Sequence, residues 1–174
     1  MVHQIRRILY TTDLSESSIA VFEQTVGLAA QTGASIVMLH VIEDGSSGQL
    51  NRLIHLVDKT AYEKIRQESQ ETIKHVLIGK QRTIPLIQNA LKELCDSTSE
   101  KICGAANPVT IDGIEVKYGN VAEAIIEVCE TAQCDLVAIG YYQKGSLLKA
   151  LMGSAGKHVI QQSKKPIFLV PIEA

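Results

Sequence analysis

Aromatic side chains are scarce in this 174-residue chain: they make up 4% of it, and tryptophan is absent. Any core must therefore be aliphatic. Cysteine is also sparse, and Cys95, Cys103, Cys129 and Cys134 include no Cys-x-x-Cys pair. That spacing offers no zinc or dithiol motif and fits reduced thiols in a cytosolic protein. No apolar run approaches the roughly 20 residues that cross a bilayer. The opening Met-Val-His-Gln-Ile-Arg-Arg leads directly into a strand pattern, with no apolar segment of the secretion-signal kind. A charge excess is lacking too. A formal net charge of −2 gives no electrostatic grounds for binding nucleic acid or an anionic membrane. These gaps together predict a cytoplasmic protein with no nucleic-acid and no membrane partner.

What is present is an ordinary globular balance, 45% apolar and 21% charged, in a length that suits one domain. We read residues 1–174 as that single domain, without internal repeat or low-complexity tract. A first strand, Arg7 to Thr12, is closed by Asp13. Ser15 is placed to cap a helix carrying Ile19, Phe22, Val26, Ala29 and Ala30 at helical spacing, with Gly33 as its stop. Ser35 to Ile42 is almost continuously apolar, as a strand covered on both faces requires.

After Asp44 to Gly48 comes an extended helical region, about residues 50–95, whose stripe runs through Leu50, Leu53, Ile54, Val57, Ala61, Ile65, Ile73, Val76 and Leu77. Pro85 disfavours a helical Ile84, so Gly79 to Pro85 is predicted to interrupt the stripe, which resumes at Ile87, Leu91, Leu94 and Cys95. Unbroken, that region would reach about 68 Å at 1.5 Å per residue, too far for one small domain. Two helices or one kinked helix fits better. Asp96 to Pro108 reads as an irregular polar connection.

A strand follows over Ile114 to Tyr118. Asp112-Gly113 is either the turn of a hairpin with Val109 to Ile111 or the strand's lead-in loop. Asn120 and Glu123 form a capping-box pattern for a helix turning Ala124, Ile125 and Val128 inward. A buried-type strand from Asp135 to Gly140, a loop ending at Gly153-Ser154, a helix from about Ala155 to Gln162 and a strand from Pro166 to Val170 complete the chain. Alternating strands and helices predict an α/β fold, a parallel open sheet with helices on both faces.

The segment from Asp135 onward carries the most chemistry. Glycine at a strand's carboxyl end, followed by Gly-Ser opening a helix, is how α/β folds hold an anion: the backbone comes close, and unpaired helix N–H groups face the ligand. Gly140, Gly153 and Ser154 lie on the spacing Gly, two residues, Gly, nine residues, Gly-Ser/Thr. This resembles the nucleotide loop of the universal stress protein family. The likeness extends to Arg7-Ile-Leu-Tyr-Thr-Thr-Asp13, to Leu39-His-Val-Ile42 and to Gly119, and it covers nearly the whole chain. The departures are the region from Leu50 to Pro108 and the second loop glycine, whose place Gln143 takes.

The resemblance implies a five-stranded, mainly parallel open sheet of order 3-2-1-4-5, adenine nucleotide alpha hydrolase-like, with a switch point between the first and fourth strands. Ligands of such sheets bind outside the strands' carboxyl ends at that point. It further implies ATP, with or without magnesium, as ligand. Asp13 would meet the adenine or ribose, Val41 would pack on the base, and Gly140, Gly153 and Ser154 would enclose the phosphates. A homodimer through residues 166–171 is also implied, since an apolar edge strand is otherwise a liability.

Read without the resemblance, Asp13 charge-stabilises the next helix, Val41 is core, Gly140 ends its strand and Ser154 is an N-cap. Gln143 alters the phosphate loop. A non-glycine residue at positive φ costs roughly 1–2 kcal/mol, and its side chain takes space near the anion. Gly145 and Lys144 are available to compensate, while Tyr141 and Tyr142 add bulk that either covers an adenine or fills its place.

Other chemistry finds little support. Gly156-Lys157 fails the Walker pattern because Leu151 and His158 stand where glycine and Ser/Thr are needed. A phospho-acceptor receiver would need an acidic pair where Thr12 precedes Asp13, and a lysine where Pro171 stands. His40 sits inside a strand as a structural histidine, and no metal ligands or catalytic residues are assigned. The leading reading is a non-enzymatic ATP-binding sensor or regulatory adaptor. The others are a weak ATPase and a dimeric interaction module that binds no nucleotide.

Overall fold

The computed structural model describes residues 4–43, 79–103, 109–142 and 154–172. Among them the elements are β1 (Arg7–Thr12), α1 (Glu16–Thr32), β2 (Ser35–Ile42), α2 (Gly79–Cys103), β3 (Ile111–Tyr118), α3 (Val121–Thr131), β4 (Leu136–Tyr142), α4 (Ser154–Gln162) and β5 (Ile167–Ile172). The five strands form one sheet in the order β3-β2-β1-β4-β5, and every ladder is parallel. The expected order and parallel character are met. The link Asp44 to Gly48 and the stripe from Leu50 to Leu77 lie outside the described residues.

Two aliphatic layers flank the sheet, as the shortage of aromatics requires. Ile8, Tyr10, Met38 and Ala138 face Phe22 and Val26 of α1 and Ile87 and Leu91 of α2. Leu9, Val37, Leu39 and Val137 face Ile125 and Val128 of α3 and Val159 of α4. Strand alternation sends successive residues to opposite layers, so a central strand must be apolar throughout. No helix among the described residues is long and apolar enough to cross a membrane.

Several local expectations need correction. Pro85 stands inside α2 instead of ending a helix before it. A helical proline costs about 3 kcal/mol. Ile87, Leu91, Leu94 and Cys95 are nonetheless buried beyond it, and a large apolar side chain contributes about 1.5–3 kcal/mol on full burial. The helix also continues through Asp96 to Cys103, where an irregular connection was expected. Ser97 satisfies its hydroxyl on the Leu94 carbonyl at 3.1 Å, and Thr98 is buried. The polar run therefore does not break away to bond its own backbone elsewhere.

Asp112-Gly113 is neither hairpin turn nor lead-in loop. Ile36 pairs with Ile111 while Val37 pairs with Gly113, so Asp112 is the extra residue of a β-bulge inside β3. Ser15 occupies the N-cap position of α1, but its hydroxyl makes no capping bond. The buried face of α1 is centred on Ser18, Val21, Phe22, Thr25, Val26 and Ala29; Ile19 is only partly buried and Ala30 is exposed. The last strand extends through Pro171, which an edge strand tolerates because a missing N–H there can face away from the ladder. Gly33 does stop α1, at φ 70°, and Asn120 caps α3 through bonds from Ala122 and Glu123 amides.

Candidate functional site

Strand β1 lies between β2 and β4, and the helices after β1 and β4, α1 and α4, cover opposite faces of the sheet. A crevice opens where they part. At its base Thr11 donates its hydroxyl to the Ala138 carbonyl at 3.2 Å. Thr12 donates to Ser18 Oγ at 2.9 Å and accepts the Leu14 amide at 3.0 Å. Leu14 itself is left-handed, with φ 63°, and its side chain is fully buried. A bulky residue there costs about 1–2 kcal/mol, comparable to what burying the side chain returns. The strained turn brings Asp13 out at the strand's carboxyl end, where its Oδ1 accepts the Ser15 amide at 2.9 Å.

The crevice holds about 380 Å³, within the range of small-molecule sites. Asp13, Val41 and Gly140 all line it, so three of the six residues singled out from sequence meet at one place. Ser154 opens α4, and the residues after it, Ala155 and Gly156, form part of the wall, so the amino-terminal turn of this helix faces the cavity. Gln143 and Gly153 lie outside the described residues. Leu39, Val121, Ile125 and Ile139 supply an aliphatic wall, while Glu43 adds a second carboxylate. Among the described lining residues none is basic.

Gly140 is needed for a reason spacing did not reveal. A Cβ there would stand 2.7 Å from Val21 Cγ2 and 3.1 Å from Ile172 Cδ1. The missing side chain lets β4 close on α1 and β5 beneath the crevice. Sequence reasoning also missed Glu43, Thr12 and Ser18. Glu43 directly follows β2 and could have been found by the rule that singled out Asp13. Thr12 and Ser18 carried no signal, because their pairing depends on the turn at Leu14.

The described side chains offer no activated nucleophile. Burial pushes the Cys95 and Cys134 thiols up to about 12 and raises Cys129 as well. Burial likewise raises Tyr10, which stays protonated and donates to the Ser18 carbonyl at 2.7 Å. His40 is buried in β2, its Nδ1 2.9 Å from the Thr12 carbonyl, consistent with the structural role expected. No group of three metal-ligating side chains occurs among the described residues.

An open parallel sheet with its crevice at the switch point between first and fourth strands defines a doubly wound α/β protein of the adenine nucleotide alpha hydrolase-like kind. Residues 4–171 match the Universal stress protein family, and the chain belongs to that family. Universal stress protein MJ0577 of Methanocaldococcus jannaschii is 24% identical over 165 residues, 95% of this chain and 94% of that protein. A universal stress protein solved in complex with cAMP superposes with a TM-score of 0.58 at 17% identity, covering 97% of this chain and 98% of that one. UspA of Lactobacillus plantarum gives 0.58 at 16% identity, covering 97% and 99%. These structures share the fold.

Proposed function

We propose that the crevice binds an adenine nucleotide, with ATP as the physiological ligand, and that the protein is a cytoplasmic sensor or regulatory adaptor, not an enzyme. The observation that carries this reading is the convergence of Asp13, Val41, Gly140 and the first turn of α4 on one cavity of about 380 Å³. Its parts suit different parts of a nucleotide. The aliphatic wall of Val41, Leu39 and Ile125 suits a base. Carboxylates at Asp13 and Glu43 suit ribose hydroxyls, which donate hydrogen bonds. The amino end of α4 suits phosphate, since its N–H groups and dipole favour negative charge. The related fold solved with cAMP gives further support.

The test is calorimetry with ATP, with and without magnesium, on the parent and on Gln143→Gly. The parent is expected to bind, and the glycine, which restores the loop spacing that Gln143 interrupts, to bind more tightly. A flat titration with both proteins would return the chain to the class of dimeric interaction modules. Hydrolysis of bound ATP at more than a trace rate would favour the weak-ATPase reading.

Assembly through the last strand belongs to the same proposal. Leu169 is 37% exposed on edge strand β5, beside partly buried Ile167 and Phe168. Pairing that edge with its two-fold mate covers both the apolar surface and the strand's open side. Light scattering should give about twice the 19.0 kDa chain mass, and Leu169→Lys should move it toward one. A parent that remains monomeric at high micromolar concentration contradicts the dimer.

A further inference from the structure

Two of the chain's seven aromatic residues, five Tyr and two Phe, stand together at the crevice. Strand register separates their roles. Thr12 pairs with His40, so the next step along each strand brings Asp13 level with Val41. Tyr10 pairs with Ala138, so three steps on, Tyr141 comes to the level of Asp13. Counted from these pairs, Val41, Asp13 and Tyr141 fall at one level at the carboxyl ends of β2, β1 and β4, beyond the last β1–β4 pair. Val41 lies in the layer covered by α3 and α4, as does Val137, and Ile139 packs against it. Alternation sends Tyr141 to that same face and Tyr142 to the other.

Val41 and Tyr141 thus belong to strands two places apart, whose backbones stand about 9.5 Å from each other where both pair with β1, as far as Tyr10 and Ala138. A flat ring held between two side-chain faces needs about 7–8 Å, one van der Waals contact on each side. Asp13 lies between them just past the end of β1, its Oδ1 accepting the Ser15 amide. Tyr141 is half-buried, as a wall exposed on one face would be.

We propose that Tyr141 is the aromatic wall of this crevice, stacking on the base of the bound nucleotide opposite Val41 and so selecting ligands with a planar heteroaromatic base. The inference rests on the adenine-nucleotide reading above and adds its specificity-determining residue. Tyr141 is a binding residue here and takes part in no bond-making step.

The test compares the parent, Tyr141→Phe and Tyr141→Ala by calorimetry with adenosine, ATP and the baseless probe ribose 5-phosphate, with thermal melts on each protein. Phenylalanine should keep adenosine and ATP affinity within about threefold, and alanine should weaken both about 5- to 150-fold, the span of base–aromatic stacking. Ribose 5-phosphate should bind the three proteins alike. If Tyr141→Ala does not fold, the unmodified protein still decides the matter. With no tryptophan present, its emission comes from tyrosine, and saturating adenosine should quench part of it. Parent binding with alanine equal or tighter, or emission unchanged at saturation, overturns the inference and leaves the nucleotide reading standing. A parent that binds no adenine compound, while Tyr141→Ala does, shows the ring filling the slot itself. No binding by any of the proteins removes the nucleotide reading and this inference with it.

Discussion

The two ends of the sheet use the same kinds of residue in opposite ways. At the amino end, Asp135 Oδ2 accepts the Arg6 and Arg7 amides at 2.9 and 3.2 Å. Arg7 reaches Asp112 Oδ2 through Nε at 2.9 Å and Nη2 at 2.8 Å, and gives Nη1 to the Ala132 carbonyl at 2.8 Å. Ser35 adds a 2.6 Å bond to the same Asp112 oxygen. One guanidinium thus ties β1, the bulge of β3 and the end of α3 together. At the carboxyl end, Asp13 and Glu43 face a cavity instead. Charges bonded to one another across elements close one end of the fold, and carboxylates that line a cavity mark the other.

The sharpest way to break the comparison is at the floor of the crevice. Gly140→Val would place Cβ 2.7 Å from Val21 Cγ2 and 3.1 Å from Ile172 Cδ1, and its branched methyls would crowd further. Overpacking of this kind costs about 1–3 kcal/mol, and a contact so short at a β-branched residue puts the expectation near about 3 kcal/mol. Urea unfolding should show that loss, and ATP binding should disappear with it as β4 is displaced from α1. Parent-like stability would mean that Val21 and Ile172 yield freely, and that Gly140 is no constraint on the crevice.

A smaller effect is expected at the closed end. Asp112→Asn keeps the size of the side chain and removes its charge. The pair is part-exposed, with side-chain accessibilities of 38% for Arg7 and 28% for Asp112. The usual 1.5–3 kcal/mol for a charged hydrogen bond is therefore discounted to about 1 kcal/mol. ATP affinity should not change, because no group of this network lines the crevice.

The pH dependence supplies a separate check. The Ser35 hydrogen bond, followed by Arg7's bond and charge, holds the Asp112 carboxyl below the usual carboxylate range. The unfolded chain, with its aspartate near 3.9, then binds more protons than the folded one in the window below that value. The stabilisation is fully present above about pH 4 to 5 and is lost as pH falls through the lower folded pKa. Parent and Asp112→Asn unfolding midpoints should converge as pH drops from 6 to about 2.5. Curves that stay parallel would show that the Asp112 charge contributes nothing to closing this end.

Legibility from sequence followed the same division. The architecture was readable because apolar β1, β2 and β4 demand cover on both faces, and because Gly33 and Asn120 punctuate the helices. That Asp13, Val41 and Gly140 would meet at one crevice was readable because they lie toward the carboxyl ends of β1, β2 and β4, which topology brings together without long-range side-chain detail. What escaped was decided by tertiary packing. Pro85 is held in α2 by the burial of Ile87 and Leu91 beyond it. Asp112 looked like half of a turn, because nothing local shows that Arg7 and Ser35, distant in sequence, hold it in a bulge. The packing role of Gly140 was hidden, because its tight partners Val21 and Ile172 lie far along the chain on either side.

A second glycine, at the closed end, sharpens the comparison with the smallest expected change. Gly113 follows the bulge in β3 and, unlike Gly140, has no heavy atom within 4 Å of where a Cβ would stand. Its φ is not in the positive range where a side chain strains the backbone. Gly113→Ala therefore meets no steric penalty and narrows the conformations open to the unfolded chain, a gain of about 0.4–1 kcal/mol when the native conformation is compatible. The bulge must keep its geometry for Asp112 to reach Arg7, so the expected shift lies at the lower end, about 0.4 kcal/mol or less. Urea midpoints and ATP titrations of Gly113→Ala and Gly140→Ala, measured side by side, make the contrast direct. The first should unfold slightly later than the parent and bind as it does, whereas the second, with its Cβ at 2.7 Å from Val21, should lose in both. Equal behaviour of the two variants would mean that backbone entropy, and not the close approach of α1 to β4, governs glycine in this sheet.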